Sequence, residues 1–185
     1  MNSDYLCIIP ECFADTNLVQ TLLRVKSVNH QKSCGHVTNE MQKRFYDEFA
    51  VGVIDLDKKQ SQYSEDSVVI ASSEEFSVCK HPNSHHYLIK IHNVLEKFII
   101  NCAKEQGLDC SALGIPMEKE ELMKFTKKQE AKRNPLLTKF FKQLSGSKEM
   151  RLLKEVLEYL HTNKYSVDEE QLRQLFKTYG YEQEH

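Results

Sequence analysis

The chain has 185 residues, of which 40% are hydrophobic and 28% charged, and its formal net charge is −2. This balance is typical of a globular protein and excludes disorder as the main state. The longest apolar runs span only a few residues and the chain opens on a polar segment, Met1–Asp4. We therefore expect no transmembrane helix, no signal peptide and a cytoplasmic location, in which the six cysteines are thiols.

In the first part of the chain, helical and strand patterns alternate. Short apolar runs predict strands, and three- to four-residue apolar spacing predicts helices. The predicted strands are Tyr5–Ile9, Phe49–Ile54, Val68–Ala71, Phe76–Cys79 and Tyr87–Ile91. The predicted helices are one capped by Asp15 or Thr16, one from Thr38 to about Glu48, and Asn93–Gln106 with Gly107 as its stop. This order predicts an α/β domain over residues 1–110, with a mainly parallel central sheet flanked by helices.

After residue 110 the pattern becomes helical throughout. The helical segments are Glu118–Arg133, Leu136–Leu144, Lys148–Asn163 and Val167–Thr178, separated by Asn134-Pro135 and by Ser145-Gly146-Ser147. No strand pattern occurs among them, so residues 111–185 are predicted to form an all-helical extension of the α/β domain.

Acidic residues follow the two strongest strand patterns. Glu11 and Asp15 come after the first strand, and Asp55 and Asp57 come after the second. The carboxyl ends of neighbouring parallel strands meet at one edge of a sheet, where ligands bind. Carboxylates brought together there repel one another unless a cation is present, and Mg²⁺ prefers such oxygen ligands. The alternative is structural: Asp55 and Asp57 begin a loop, and Glu11 caps a helix.

The same two segments resemble a known family. Ile9-Pro-Glu11-Cys-Phe-Ala-Asp15 and Val51-Gly-Val-Ile-Asp55-Leu-Asp57-Lys58 resemble the Glu and Asp-x-Asp motifs of the Toprim family, over residues 4–107. The similarity is to the overcoming-lysogenization-defect nucleases or to stand-alone small Toprim proteins. It implies a Toprim-like α/β fold and phosphodiester chemistry that depends on Mg²⁺ or Mn²⁺.

The resemblance also implies roles for single residues. Glu11 would be the catalytic general acid or base, and Asp55 and Asp57 would hold the metal. Asp15 would be a further metal ligand or a helix cap. His92-Asn-Val-Leu-Glu96 resembles a later family element in which the acidic residue, here Glu96, faces the metals; the alternative is a solvated helix position. Lys58 and His92 are candidates for a phosphate contact or a proton shuttle. Cys12 stands where the family usually has Gly.

Two other chemistries are weighed against this one. Cys34, His36, Cys79 and His81 could together bind zinc, but their spacing is not that of a zinc finger, so zinc is disfavoured. Cys12 lies beside Glu11, yet no histidine partner can be assigned to it, so a buried thiol is preferred over a nucleophile.

A basic segment stands out in the extension. Residues 119–154 contain 11 Lys and Arg residues but only four Glu. The candidate nucleic-acid contacts are Lys124, Lys127, Lys128, Lys132 and Arg133, because binding to a phosphate backbone is largely electrostatic. The alternative is a solvated helix face, and the pattern does not distinguish DNA from RNA.

Together these features predict a magnesium-dependent nuclease or related phosphotransfer enzyme acting on nucleic acid in defence or repair. A separate ATPase protein is a candidate partner, and no membrane association is expected. The alternative is a non-catalytic Toprim-like module that binds a protein partner or nucleic acid.

Overall fold

A five-stranded mixed sheet forms the centre of the protein. The computed structural model describes residues 5–56 and 60–182. The strands are β1 (Ile8–Pro10), β2 (Ala50–Asp55), β3 (Val68–Ser72), β4 (Phe76–Lys80) and β5 (His86–Ile91). Their order in the sheet is β1-β2-β5-β4-β3. Strands β1, β2 and β5 run parallel, whereas β4 and β3 continue the sheet in antiparallel pairs. The α/β class is thus confirmed, with a parallel half and an antiparallel half.

Helices flank the sheet and occupy the C-terminal part of the described chain. They are α1 (Phe13–Leu23), α2 (Cys34–Arg44), α3 (Gln62–Glu65), α4 (Leu95–Glu105), α5 (Lys119–Thr126), α6 (Pro135–Leu144), α7 (Lys148–Asn163) and α8 (Glu169–Thr178). The predicted C-terminal helices are present, and α7 has the predicted bounds. In the described ranges, no helix is long and apolar enough to cross a membrane.

Several helix boundaries differ from the sequence predictions, most clearly in α1, α2 and the segment 118–133. Helix α1 is capped by Cys12, whose Sγ accepts from the Asp15 N–H. Helix α2 begins at Cys34 because the Ser33 hydroxyl caps it. The segment predicted as one helix over 118–133 is two: α5 ends at Thr126, and a short 3₁₀ helix, Gln129–Arg133, follows. Asn134 then caps α6, with Pro135 in its first turn.

The parallel strands β1, β2 and β5 are buried on both faces of the sheet. Val51 and Val53 point to one face, where α1, α4 and the C-terminal helices form the larger apolar cluster. Ala50 and Ile54 point to the other face, which is covered mainly by α2. Gly52 is required on this second face, because a Cβ there would approach Leu88 Cδ2 to 2.7 Å.

The C-terminal helices share one apolar core with the sheet. Phe140, Phe141, Leu153 and Phe176 are buried in the same cluster as the strand residues. A polar contact fixes α1 to this part: Asn17 Nδ2 donates to the carbonyl oxygens of Ala131 (2.8 Å) and Asn134 (3.3 Å). The contact sets the position of α1, whose first turn contains the predicted site residue Asp15. The boundary at residues 110 and 111 stays a prediction.

Candidate active site at the acidic edge of the sheet

Four acidic side chains lie at the end of the parallel half of the sheet, and we call them the acidic edge. Their side chains are almost inaccessible: Glu11 is 1% exposed, Asp15 1%, Asp55 6% and Glu96 6%. Burial strongly disfavours a carboxylate unless the group is hydrogen-bonded or paired with a cation. The partners of these four acids therefore decide how they are stabilised.

Glu11 and Asp55 are held together by the strand ends. Beyond the last residue of β1, the Glu11 N–H donates to the Val53 carbonyl (3.0 Å), which continues the parallel pairing. The Asp55 N–H then donates to Glu11 Oε2 (3.2 Å). The first predicted acid is thus bonded to the backbone of the second.

Asp15 completes a reciprocal cap at the start of α1. Its Oδ2 accepts from the Cys12 N–H (3.0 Å), and its own N–H donates to Cys12 Sγ (3.3 Å). The other oxygen, Oδ1, is buried and has no hydrogen-bond partner among the described residues. Burial raises the pKa of Asp15 from 3.8 to about 7; the Cys12 hydrogen bond lowers it, and the charges of Glu11 and Glu96 raise it further. Cys12, and not Asp15, is thus the N-cap residue; Asp15 is the third residue of the helix, and its carboxyl group has an unused oxygen.

Asp55 and Glu96 join the edge to α4 and to the C-terminal helices. Helix α4 has no side-chain cap at its own N-cap residue, Val94. Instead, Asp55 Oδ1 accepts from the Leu95 N–H (3.1 Å). Glu96, one residue further on, is buried rather than solvated, and the Thr126 hydroxyl of α5 donates to its Oε1. One oxygen of each acid is thus bonded to another part of the chain.

Cys12 lies within this group as a protonated thiol. Burial raises its pKa well above the usual value, and the charge of Asp15 raises it further. Because the thiolate is the nucleophile, this environment opposes covalent catalysis by Cys12. The side chain at position 12 has a structural role, because its Sγ accepts from the Asp15 N–H.

Of three other predicted site residues, only His92 lies within the part of the chain that the structure describes. Asp57 and Lys58 lie outside the described residues. Both ring nitrogens of His92 have partners: Nε2 lies 2.7 Å from Ser77 Oγ, and Nδ1 lies 2.9 Å from the Glu74 carbonyl oxygen. These contacts fix the ring at the junction of β4 and β5, and its role as a shuttle or phosphate contact stays a prediction.

The donor set of the acidic edge fits a hard divalent cation in chemistry. Carboxylate oxygens are the ligands that Mg²⁺ and Mn²⁺ prefer, and Asp15 Oδ1 is a buried oxygen with an unused coordination position. In their present rotamers, the side chains of residues 5–56 and 60–182 include no group of three His, Cys, Asp or Glu that could hold an ion. Mg²⁺ usually keeps several waters and takes only one or two carboxylates. A magnesium site therefore does not need three ligating side chains.

The residues weighed for zinc are distributed between two environments. Cys34 and Cys79 are buried in the apolar cluster beneath α2. His36 Nδ1 lies 2.7 Å from Ser33 Oγ, and the ring of His81 stacks on Tyr63 with 3.9 Å between centroids. The two cysteines thus share one apolar cluster, whereas His36 and His81 each have a contact of their own.

The predicted nucleic-acid contacts separate into two groups. Lys124, Lys127 and Lys128 are exposed near the end of α5, where Lys124 pairs with Glu121 at 2.7 Å. Lys132 and Arg133, in contrast, line a large surface cleft beside α1. These residues form one basic segment in the sequence, but in the structure the two groups lie on different parts of the surface.

Comparison with known proteins gives no match: no family model, no curated protein and no solved structure is significantly similar to this chain. The fold and the acidic edge therefore define the molecule only as an α/β protein with a mixed sheet and C-terminal helices.

Sequence reasoning missed two contributors to the acidic edge. Thr126 belongs to the predicted extension and is separated from Glu96 by 30 positions, so no local motif connects them. Cys12 was weighed only as a thiol, because cysteine is not among the usual N-cap residues. The spacing of Cys12 and Asp15, three residues apart as in a capping box, was the one available signal.

Proposed function

We propose that this protein is a divalent-metal-dependent enzyme that cleaves or transfers phosphodiesters in nucleic acid, built on a Toprim-like α/β domain. The observation that carries the proposal is the buried, unpartnered Oδ1 of Asp15 amid three further buried acids. For folding alone, a carboxylate oxygen buried without a partner is a cost, because buried polar groups are normally hydrogen-bonded. The resemblance of the Glu and Asp-x-Asp segments to Toprim motifs supports the same proposal.

In this proposal Asp15 and Asp55 would hold Mg²⁺ or Mn²⁺, with Glu96 and Asp57 as further candidate ligands. The ion would stabilise negative charge on a phosphodiester. The hydrogen bonds from the Cys12 and Leu95 N–H groups orient Asp15 and Asp55 so that each keeps a fixed direction. A rigid arrangement of this kind lowers the reorganisation needed during a reaction.

In this proposal two acids, Asp15 and Glu11, take up or release protons. Without a cation, Asp15 titrates near neutral pH and holds a proton below it, since burial raises its pKa to about 7. That proton belongs on Oδ1, because Oδ2 accepts from the Cys12 N–H. Glu11 Oε2 accepts from the Asp55 N–H, which orients the carboxylate proposed as general acid or base.

A second candidate function, the non-catalytic binding module, is favoured by one observation. Asp55 caps α4, and Glu11 bonds the backbone of Asp55, so both acids already have structural roles. In that case the acidic edge stabilises the fold, and nucleic acid or a protein partner binds elsewhere.

The experiment is a cleavage panel of single- and double-stranded DNA and RNA with Mg²⁺ or Mn²⁺. Wild type is compared with Glu11→Gln and Asp55→Asn, and with two exposed acids outside the edge, Glu65→Gln and Asp47→Asn, as matched controls. We expect loss of cleavage by a factor of about 100 or more in the first pair, in line with removal of a catalytic proton-transfer group, and full activity in the second. Metal-dependent cleavage that persists in both edge variants would contradict the proposal. A wild type without activity, also in the presence of a separately encoded ATPase, would support the binding module.

A further inference from the structure

A large basic cleft lies at the other end of α1, away from the acidic edge. It has a volume of about 1070 Å³, near the upper end of the range of about 300–1,000 Å³ for small-molecule sites. Its walls are the second half of α1, the segment from Lys132 through α6, and α7. The cationic side chains that line it are Arg24, Lys26, Lys132, Arg133, Lys142, Arg151 and Lys154. Among the described lining residues, Glu155 is the only acid.

Most of this positive charge is not neutralised. Within the described part of the chain, Arg24, Lys26, Lys132, Arg133 and Lys142 take part in no ion pair. Cations from three separate segments therefore face one volume with little compensation, and they attract an anion.

The remaining charged residues of the cleft have partners of their own. Lys154 pairs with Glu158 at 3.5 Å on the exposed side of α7. Glu155 accepts a hydrogen bond from the Tyr179 hydroxyl (2.6 Å). The Arg151 guanidinium lies 5.9 Å from the centre of the Tyr179 ring. Tyr179 thus contacts both Glu155 and Arg151, and among the described lining residues the cations outnumber the single acid.

Two walls of the cleft are joined by a buried side chain, Asn17. Asn17 donates to the Ala131 and Asn134 carbonyls and accepts from the Thr21 (3.2 Å) and Thr138 (3.0 Å) hydroxyls. This buried amide joins α1 to the segment that carries Lys132 and Arg133. A preformed site lowers the entropic cost of binding.

The lining also has apolar members. Leu22, Val25 and Phe141 lie among the cations. A ligand that suits such a site combines a dense run of negative charge with an organic group. We propose that the cleft binds a compact polyphosphate: a nucleoside triphosphate or inorganic triphosphate.

A compact ligand fits better than a polymer strand. The cations surround one volume from three sides, whereas Lys124, Lys127 and Lys128, which would extend the basic surface, do not line it. The site is also separate from the acidic edge, so the inference does not depend on metal-dependent chemistry there.

The test is isothermal titration calorimetry of the full chain with ATP and, separately, with sodium triphosphate, in EDTA to exclude divalent metal. The cleft variant is Lys142→Glu with Arg151→Glu, two exposed residues. The control is Lys127→Glu with Lys128→Glu, which changes the net charge equally in the same basic segment outside the cleft. We expect the cleft variant to lose affinity by about tenfold or more, and the control to stay within about twofold. Circular dichroism melting verifies that both variants fold, and the neutral pair Lys142→Gln with Arg151→Gln gives the same test without charge reversal.

Four outcomes are informative. Tighter binding of ATP than of triphosphate assigns the apolar lining to the nucleoside, and equal binding assigns the site to phosphates alone; both support a compact polyphosphate. Equal loss in cleft and control variants would overturn the proposal in favour of a general electrostatic field. Binding of neither ATP nor triphosphate to the wild type would also overturn the proposal.

Discussion

The two ends of α1 differ in how they carry charge. At its N-terminal end, Glu11, Asp15, Asp55 and Glu96 are buried, and one oxygen of each is bonded to the protein. At its C-terminal end, the cations of the cleft are mostly exposed and unpaired within the described chain. The helix dipole favours acids at the first end and cations at the second.

The difference teaches how each site is built. The acidic edge is fixed by backbone geometry, because strand ends and helix starts place its side chains. The cleft instead depends on the packing of three helical segments that are distant in sequence. Changes at the edge should therefore act on folding and on pH dependence, whereas changes at the cleft should act on affinity.

The largest expected effect concerns Asp15 and pH. Its pKa is higher in the folded protein, about 7, than the ordinary 3.8, so the folded state binds the proton more tightly. The stability gained from this proton is full below the lower pKa and is lost as pH rises toward 7. In Asp15→Asn the side chain can still accept from the Cys12 N–H but does not titrate. The free energy of unfolding of wild type should therefore fall relative to the variant by about 1.4 kcal/mol per pH unit in this window.

Urea unfolding of both proteins between pH 4 and pH 8 measures this difference, with the exposed Asp47→Asn as control. A difference between wild type and Asp15→Asn that stays constant with pH would show that Asp15 is not perturbed as described.

The next effect concerns the contact between the C-terminal helices and the edge. Thr126→Val preserves shape but removes the hydroxyl that donates to Glu96. Because a buried carboxylate loses a donor, we expect a destabilisation of about 1–3 kcal/mol. Thr178→Val removes an exposed hydroxyl on α8 and should change stability by less than about 0.5 kcal/mol. Equal midpoints of urea unfolding for the two variants would show that the Thr126 hydroxyl does not stabilise the acidic edge.

The smallest effect concerns Arg24 at the C-terminal end of α1. Arg24 caps the helix in the left-handed region, with φ 56°, where glycine is favoured. Arg24→Gly should raise the free energy of unfolding by roughly 0.5 kcal/mol, because relief of the strain exceeds the added freedom of the unfolded chain. It should also weaken triphosphate binding. Arg24→Ala should weaken binding equally without the gain in stability, and unchanged binding in both would exclude Arg24 from the cleft.

Much of the acidic edge could be predicted from the sequence. Glu11 and Asp55 directly follow apolar runs, and parallel pairing then brings the strand ends together. The cap of α1 was misplaced by a few residues because Asp15 is itself a good N-cap residue, and Cys12 is not.

The cleft could not be predicted in the same way. The sequence shows the basic segment but not its separation into two surface groups. That separation arises because the helix predicted over 118–133 ends at Thr126, so Lys132 and Arg133 lie on a different element from Lys124. Arg24 and Arg151 lie in different helical segments, and only tertiary packing brings them to the same volume.

The central claim is that the acidic edge binds a divalent cation. It is tested most directly by diffraction at the manganese absorption edge from a crystal soaked in Mn²⁺, with an Asp15→Asn crystal treated in parallel. We expect an anomalous peak within coordination distance of Asp15 Oδ1, about 2.2 Å, that is weakened or absent in the variant. Ordered carboxylates at the edge with no anomalous density between them would contradict the account.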